Sequence, residues 1–220
     1  MLYSKQKNIM KKFSMGIAAL IMLAPAPFML DKIYNDQIII ILIIALLCWV
    51  ILEFYIALSR PYEGKTQFKP LAKFCRMACP FFAIYSWLDF GNAWTLLYFP
   101  LWFRVLLILI YILALGIRIW AIIHLGKSFS YDVKKPEGGS LITTGPYRIV
   151  RHPSYLAICI LASLPGLILG SIPGFIGLVA TTIPVVVLRT NAEEKILEKE
   201  FGNHFLKYKD KSYRLFPFIY

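Results

Sequence analysis

The run Ile38-Ile-Ile-Ile-Leu-Ile-Ile-Ala-Leu-Leu47 contains no polar side chain. It forms the centre of an apolar stretch over 37–58, long enough for the roughly 20 helical residues that cross a hydrocarbon core of about 30 Å. Lipid offers no partner to an unpaired backbone group, so such a segment satisfies its own hydrogen bonds as helix. Further apolar segments lie near 13–30, 78–98, 101–125, 153–171 and 173–190. The pattern predicts an all-α, polytopic membrane bundle of about five to six transmembrane helices. Composition agrees, with 59% of the 220 residues hydrophobic and 16% charged, against about 45–50% and roughly 25% in soluble domains.

Two of these segments are ambiguous. The stretch 78–98 carries Asp89, Gly91 and Asn92, so it reads either as a span or as a shorter one followed by an interfacial piece rich in Trp94, Tyr98 and Phe99. The first thirty residues resemble a signal peptide, with Lys5, Lys7, Lys11 and Lys12 ahead of an apolar run and Ala24-Pro25-Ala26 after it. The apolar character continues through Pro27-Phe28-Met29-Leu30, which favours a retained first helix kinked near Pro25 and Pro27. The last two spans meet in a tight hairpin at Gly170-Ser-Ile-Pro-Gly174.

The net charge is +12, yet its distribution points to membrane topology rather than to nucleic acid. With the N-terminus inside, segments 1–12, 59–77, 126–152 and 189–220 face the cytoplasm and hold 21 of the 24 Lys and Arg residues. Cytoplasmic loops are where basic residues concentrate. Only Lys32, Arg104 and Arg118 lie elsewhere. Cys48, Cys75, Cys79 and Cys159 lack metal-ligand spacing and read as small buried hydrophobes, so no metal is expected. Past the last span, Leu197, Phe201, Phe205 and Tyr208 recur at helical spacing. They predict a C-terminal amphipathic helix lying over the loop 126–152 and interrupted near Gly202.

Two polar clusters sit at the edges of apolar segments. In Leu141-Ile-Thr-Thr-Gly-Pro-Tyr-Arg-Ile-Val-Arg-His-Pro-Ser-Tyr155, the Gly-Pro pair fixes a bend. Pro153 suits the first helical position, making His152 an extended N-cap whose helix end favours an anionic group. The plain alternative is that Arg148, Arg151 and His152 anchor a helix at the headgroups. In Arg189-Thr-Asn-Ala-Glu-Glu194, Arg189 and Glu193 share a helix face. That pair is either a snorkelling surface ion pair or, facing a cavity, a guanidinium fork for a substrate carboxylate. Glu53, Asp89 and Arg118, charged yet within apolar segments, invite a functional reading by default.

These clusters in this order, followed by Phe201-Gly-Asn-His-Phe-Leu-Lys-Tyr-Lys and Phe216-Pro-Phe-Ile219, resemble the isoprenylcysteine carboxyl methyltransferase family. The resemblance covers about residues 126–219; the N-terminal helices share only hydrophobicity. It implies N-terminal transmembrane helices over 1–125 and a methyltransferase region over 126–220 within one folded unit. S-adenosylmethionine would be the cofactor, held in a cytoplasm-facing loop by Ser140, Leu141, Ile142, Tyr147, His152, Pro153, Ser154, Tyr155 and Glu193. Arg189 would hold the substrate carboxylate, making Arg189 and Glu193 the catalytic pair. The implied acceptor is the carboxylate of an isoprenylated cysteine or a similar lipid-linked carboxylate, entering from the bilayer of a bacterial inner membrane or endoplasmic reticulum. Gly139 stands where the family pattern has a polar side chain, and Ala157 replaces a Gly.

Other classes remain alternatives: a phospholipid amine N-methyltransferase, an NADPH-dependent sterol-type reductase, and a small transporter or scaffold. The reductase pattern wants an Asn before the Tyr and an acid soon after, where this chain has Ser154 and Leu156-Ala157-Ile158. No Gly-rich strand-to-helix turn of a soluble nucleotide-binding fold is present.

Overall fold

The computed structural model describes residues 30–59, 70–92, 94, 97, 99–129 and 140–217. The first expected helix, 13–30, therefore lies almost wholly outside the described residues. So do most of the loop 126–152 ahead of Ser140, Gly139 included, and Phe218 and Ile219 of the closing motif. The described residues form α1 (Leu30–Tyr34), α2 (Gln37–Ser59), α3 (Pro70–Asn92), α4 (Leu101–Leu125), α5 (Pro153–Ile168), α6 (Ile172–Phe201) and α7 (Asn203–Lys209), with 3-10 turns at Gly126–Ser128 and Gly145–Arg148. An isolated parallel bridge pairs Val150 with Tyr213. The all-α expectation holds for this region.

Among the described residues, α2, α4 and α6 are long and apolar enough to cross a bilayer, and the chain is an integral membrane protein. Their outward faces are hydrocarbon: Ile44, Leu47 and Ile51 on α2, and Leu109, Leu113 and Ile123 on α4, are exposed. Cys48 belongs to that outer face rather than to the core expected for it, whereas Cys75 and Cys159 are buried. Helix α5 has only 16 residues, about 24 Å at 1.5 Å per residue, so it falls short of a full crossing. Helix α3 begins eight residues ahead of the expected span and ends at Asn92. Asp89 thus sits in the last turn, where the Ser171 hydroxyl donates to its carboxylate at 2.5 Å. That bond explains how an acid is tolerated at the end of an apolar helix.

Close packing of α3, α5 and α6 depends on small residues, which let backbones approach in a membrane. A Cβ at Gly166 would meet the Phe175 backbone nitrogen at 2.7 Å, and one at Gly177 would meet the Phe82 ring at 2.0 Å. The hairpin between α5 and α6 turns at Gly170, which adopts φ 79. Ser171 then caps α6, its hydroxyl accepting from the Gly174 amide at 3.3 Å. At this same end Leu97 donates to the Gly170 carbonyl at 2.9 Å. Just ahead of α2, Asp36 pairs with Arg104 in the first turn of α4 at 2.7 Å.

Arg118, another of the bases outside the four basic segments, is held inside the bundle. It is 2% exposed and donates from Nε to Glu53 at 3.0 Å, while Trp49 donates to the same carboxylate at 3.0 Å. A third guanidinium nitrogen donates to the Ser154 hydroxyl, and the Phe129 ring covers the guanidinium with its centroid 5.6 Å away. This network ties α2, α4 and the start of α5 together roughly 10 Å inside the end of α4.

Helix α6 runs unbroken for 30 residues, about 45 Å, so its last turns emerge beyond a core of roughly 30 Å. Gly202, at φ 48, ends it. Helix α7 then folds back, burying Phe205 completely. The expected break at Gly202 is present, and the tail covers the described part of the loop.

Candidate active site

The end of the bundle opposite the α5–α6 hairpin gathers the loop from Ser140, the start of α5, the emerging turns of α6 and the tail after Gly202. The Thr143-Thr-Gly-Pro bend forms because Gly145 takes φ 59, a conformation that costs an L-residue about 1–2 kcal/mol. Space demands glycine there as well, since a Cβ would lie 2.7 Å from the His124 ring. Pro146 then leads the 3-10 turn through Arg148.

Tyr147 pins this turn against the bundle. Its hydroxyl donates to the Ala121 carbonyl at 3.2 Å, and its ring stacks on His124 with centroids 6.3 Å apart and 22° between planes. His124 in turn is 2.9 Å from the Thr144 hydroxyl. From outside, the Tyr208 hydroxyl donates to the Tyr147 carbonyl at 2.6 Å. Burial pushes the Tyr147 phenol well above its ordinary range; the nearby Glu193 charge adds to this and Arg118 opposes it. Burial raises Tyr208 too. Both phenols are therefore neutral donors at physiological pH.

His152 precedes α5 with φ −126 and ψ 57, less extended than a following proline would favour. Its backbone is held from the other side: the Arg151 amide donates to the Tyr213 carbonyl at 2.8 Å, and the His152 amide to the Arg214 carbonyl at 3.2 Å. The imidazole does not cap the helix. Its Nε2 lies 3.1 Å from Glu194. The same carboxylate oxygen accepts from Arg151 Nε at 2.9 Å and lies 3.4 Å from Arg214 Nε. Arg151 also donates to the Lys209 and Ser212 carbonyls. One buried acid thereby fastens the loop, the start of α5 and the tail to α6.

Arg189 and Glu193 occupy the adjoining face of α6. Arg189 Nε donates to the Tyr155 hydroxyl at 3.3 Å, and its guanidinium sits 5.7 Å from that ring's centroid. Tyr155 lies 5.8 Å, ring to ring, from His152. Glu193 is half-buried and within electrostatic reach of both Tyr147 and Tyr155. The structure thus brings together Tyr147, His152, Tyr155, Arg189 and Glu193. Pro153 is buried beside them, Ile142 is half-buried, and Ser140 is exposed at the rim. Ser154 faces inward to Arg118. Leu141 faces a neighbouring cleft of about 690 Å³, which Thr143, Arg148 and the α7 region also line.

Residues 106–199 match the model of the isoprenylcysteine carboxyl methyltransferase family. Over this stretch, less than half of the chain, the sequence is similar to that methyltransferase family. The match starts inside α4, ahead of the motifs, and ends within α6, so it takes in Tyr147, His152, Tyr155, Arg189 and Glu193. A solved structure described as the eukaryotic intramembrane Ras methyltransferase, isoprenylcysteine carboxyl methyltransferase, without a monobody, superposes with a TM-score of 0.62. Sequence identity is 20%, with 92% of this chain and 73% of that one covered; at such identity the likeness carries the fold. No curated protein is matched by sequence comparison.

Sequence reasoning favoured Glu193 over Glu194 because of its spacing from Arg189. It gave Glu194, Arg214 and His124 no part in the site, read Arg151 only as a headgroup anchor and Tyr208 only as part of the tail helix. The available signal was the stripe Val186, Thr190, Glu194, whose members lie four apart and are all buried. For His124 and Tyr208 no local pattern distinguishes a site neighbour from an ordinary helix residue.

Proposed function

We propose that the chain methylates the carboxylate of an isoprenylated cysteine, or a similar lipid-linked carboxylate, with S-adenosylmethionine as donor, at the cytoplasmic face of its membrane. The observation that carries this reading is the placement of Arg189 and Glu193, opposite charges on one face of α6, against the aromatic residues Tyr147 and Tyr155.

The donor set fits the cofactor. Its ammonium and ribose hydroxyls call for an acceptor, which Glu193 provides. Its positive sulfur is favoured by the faces of neutral aromatic rings, which Tyr147 and Tyr155 offer. The backbone of Ser140, Leu141 and Ile142 and the first turn of α5, at His152, Pro153 and Ser154, supply donors and walls around these groups. When bound, S-adenosylmethionine supplies an activated methyl group on sulfur.

This chain's own work is orientation and exclusion of water. The acceptor carboxylate is ionised near neutral pH, so no residue need act as a strong base. Arg189 can take that carboxylate in a two-point grip, which fixes the direction of the attacking oxygen. Tyr155 holds Arg189 through its hydroxyl and ring, limiting where the grip can sit. An aligned near-attack geometry supplies a large part of the rate in such a transfer. The isoprenoid tail stays in the bilayer, along the apolar outer faces of the helices. Ser154 links the site to the Arg118–Glu53 pair below it, which fixes the start of α5.

Calorimetry of the detergent-purified protein with S-adenosylmethionine tests the reading. One molecule bound per folded chain is expected, with binding lost in Glu193→Gln. No heat from preparations that are folded by circular dichroism would overturn it.

A further inference from the structure

The cleft beside the candidate active site shares Leu141 with it, and the rest of its lining has no part in the chemistry above. One wall is the 3-10 turn, where Arg148 is exposed; the other carries Phe201, His204, Lys207, Tyr208 and Lys211. Phe201 comes from the end of α6, His204, Lys207 and Tyr208 from α7, and Lys211 from just beyond it. The cleft holds about 690 Å³, within the range of about 300–1,000 Å³ usual for ligand sites, and no carboxylate lines it. Arg148, His204, Lys207 and Lys211 have no ion-pair partner among the described residues. By contrast the neighbouring bases Arg151 and Arg214 are both committed to Glu194. A concave wall with three permanent positive charges and no acid selects an anion, and it disfavours a cationic sulfonium.

Two of these cations adjoin an exposed apolar residue in sequence: Ile149, after Arg148, is 59% exposed, and Leu206, before Lys207, 40%. Arg148 and Lys207 thus each have a hydrophobic neighbour open to the surroundings, Lys207 in the tail that follows α6. Positive charge inside the cleft, with exposed hydrocarbon on residues next to two of the cations, matches a phosphate that carries acyl chains.

We propose that this cleft is a binding site for the phosphate of an anionic phospholipid headgroup, with Arg148, Lys207 and Lys211 as its ligating cations. Arg148 contacts the phosphate through its guanidinium fork, the two lysines neutralise it as point charges, and Phe201 and Tyr208 form the apolar floor. The occupant anchors the α7 tail at the membrane surface over the Tyr147 turn, with which Tyr208 is already bonded.

The test counts lipid molecules retained per chain by native mass spectrometry of the detergent-purified protein, titrated with phosphatidylglycerol or phosphatidylcholine. Native protein should retain one phosphatidylglycerol in preference to phosphatidylcholine. The triple variant Arg148→Gln, Lys207→Gln, Lys211→Gln should weaken that binding about a hundred-fold, at about five-fold per cation near an anionic lipid. The double variant Lys195→Gln, Lys199→Gln, which removes two exposed charges on α6 outside the cleft, should leave it unchanged. Should the triple variant not fold, Lys211→Gln alone should weaken binding about five-fold. Equal loss in the control variant, or equal affinity for the two lipids, would overturn the proposal. Millimolar inorganic phosphate displacing the lipid would assign the site to free phosphate instead. Displacement by S-adenosylmethionine would assign the cleft to the methyl donor and equally refute a lipid site.

Discussion

Glu194 and Glu193 are adjacent carboxylates, the first binding Arg151 and His152 and the second proposed to hold the cofactor, and replacing each by glutamine separates the two jobs. In Glu194→Gln the side chain keeps its shape and loses its charge. The contacts from Arg151 at 2.9 Å and His152 at 3.1 Å then become bonds to a neutral oxygen. A hydrogen bond to a charged group contributes about 1.5–3 kcal/mol and a neutral one about 0.5–1.5 kcal/mol. Two such conversions remove about 2–3 kcal/mol, and leaving Arg151 and Arg214 close together without a counter-charge adds to this. At about 2–4 °C per kcal/mol for a chain of this size, a total of about 3 kcal/mol lowers Tm by roughly 6–12 °C. Thermal unfolding followed with a thiol-reactive dye on the detergent-purified protein reads this directly, since Cys75 and Cys159 are buried in the fold. Glu193→Gln, a half-buried position, should shift Tm by less than about 2 °C while abolishing methyl transfer. If Glu194→Gln melts within about 2 °C of native, or if the two variants melt alike, the division of labour proposed for these acids is wrong.

Gly145→Ala should lower Tm and weaken cofactor binding in calorimetry, because it combines about 1–2 kcal/mol of left-handed strain with a methyl 2.7 Å from the His124 ring. Tyr111→Phe should raise Tm by a few degrees, since the buried Tyr111 hydroxyl makes no hydrogen bond among the described residues and an unsatisfied group costs about 1–3 kcal/mol. Glu53→Leu should destabilise by about 3–5 kcal/mol by stranding Arg118. The double variant Glu53→Leu, Arg118→Leu should recover most of that loss in the same melting assay.

The long helices were legible because hydrocarbon thickness sets their length: 101–125 was expected and is the observed α4. Boundaries at polar residues were not. Asp89 seemed to interrupt a span because its partner Ser171 is 82 residues away in sequence, and only the fold brings the two together. The last span, expected to end at 190, runs on without a break into the amphipathic segment expected after it, and the two form one helix that ends at Gly202. Tyr147, His152, Tyr155, Arg189 and Glu193 were singled out through the resemblance carried by their motifs, and the fold places them close together. The supports were not, since Glu194 gathers Arg151, His152 and Arg214 from two separate segments. Arg118 drew notice as a charge in lipid, but its pairing with Glu53 follows from the packing of α2 against α4.

The measurement that bears most directly on the account is steady-state methyl transfer from labelled S-adenosylmethionine to a prenylated cysteine with a free α-carboxylate, using native protein and Arg189→Lys. The account predicts a base-labile methyl ester from the native protein. In Arg189→Lys, KM for the acceptor should rise sharply and that for the donor little, because lysine keeps the charge and loses the two-point grip. Methyl ester formation with unchanged acceptor KM in Arg189→Lys, or label entering only an amine-bearing lipid, would contradict it.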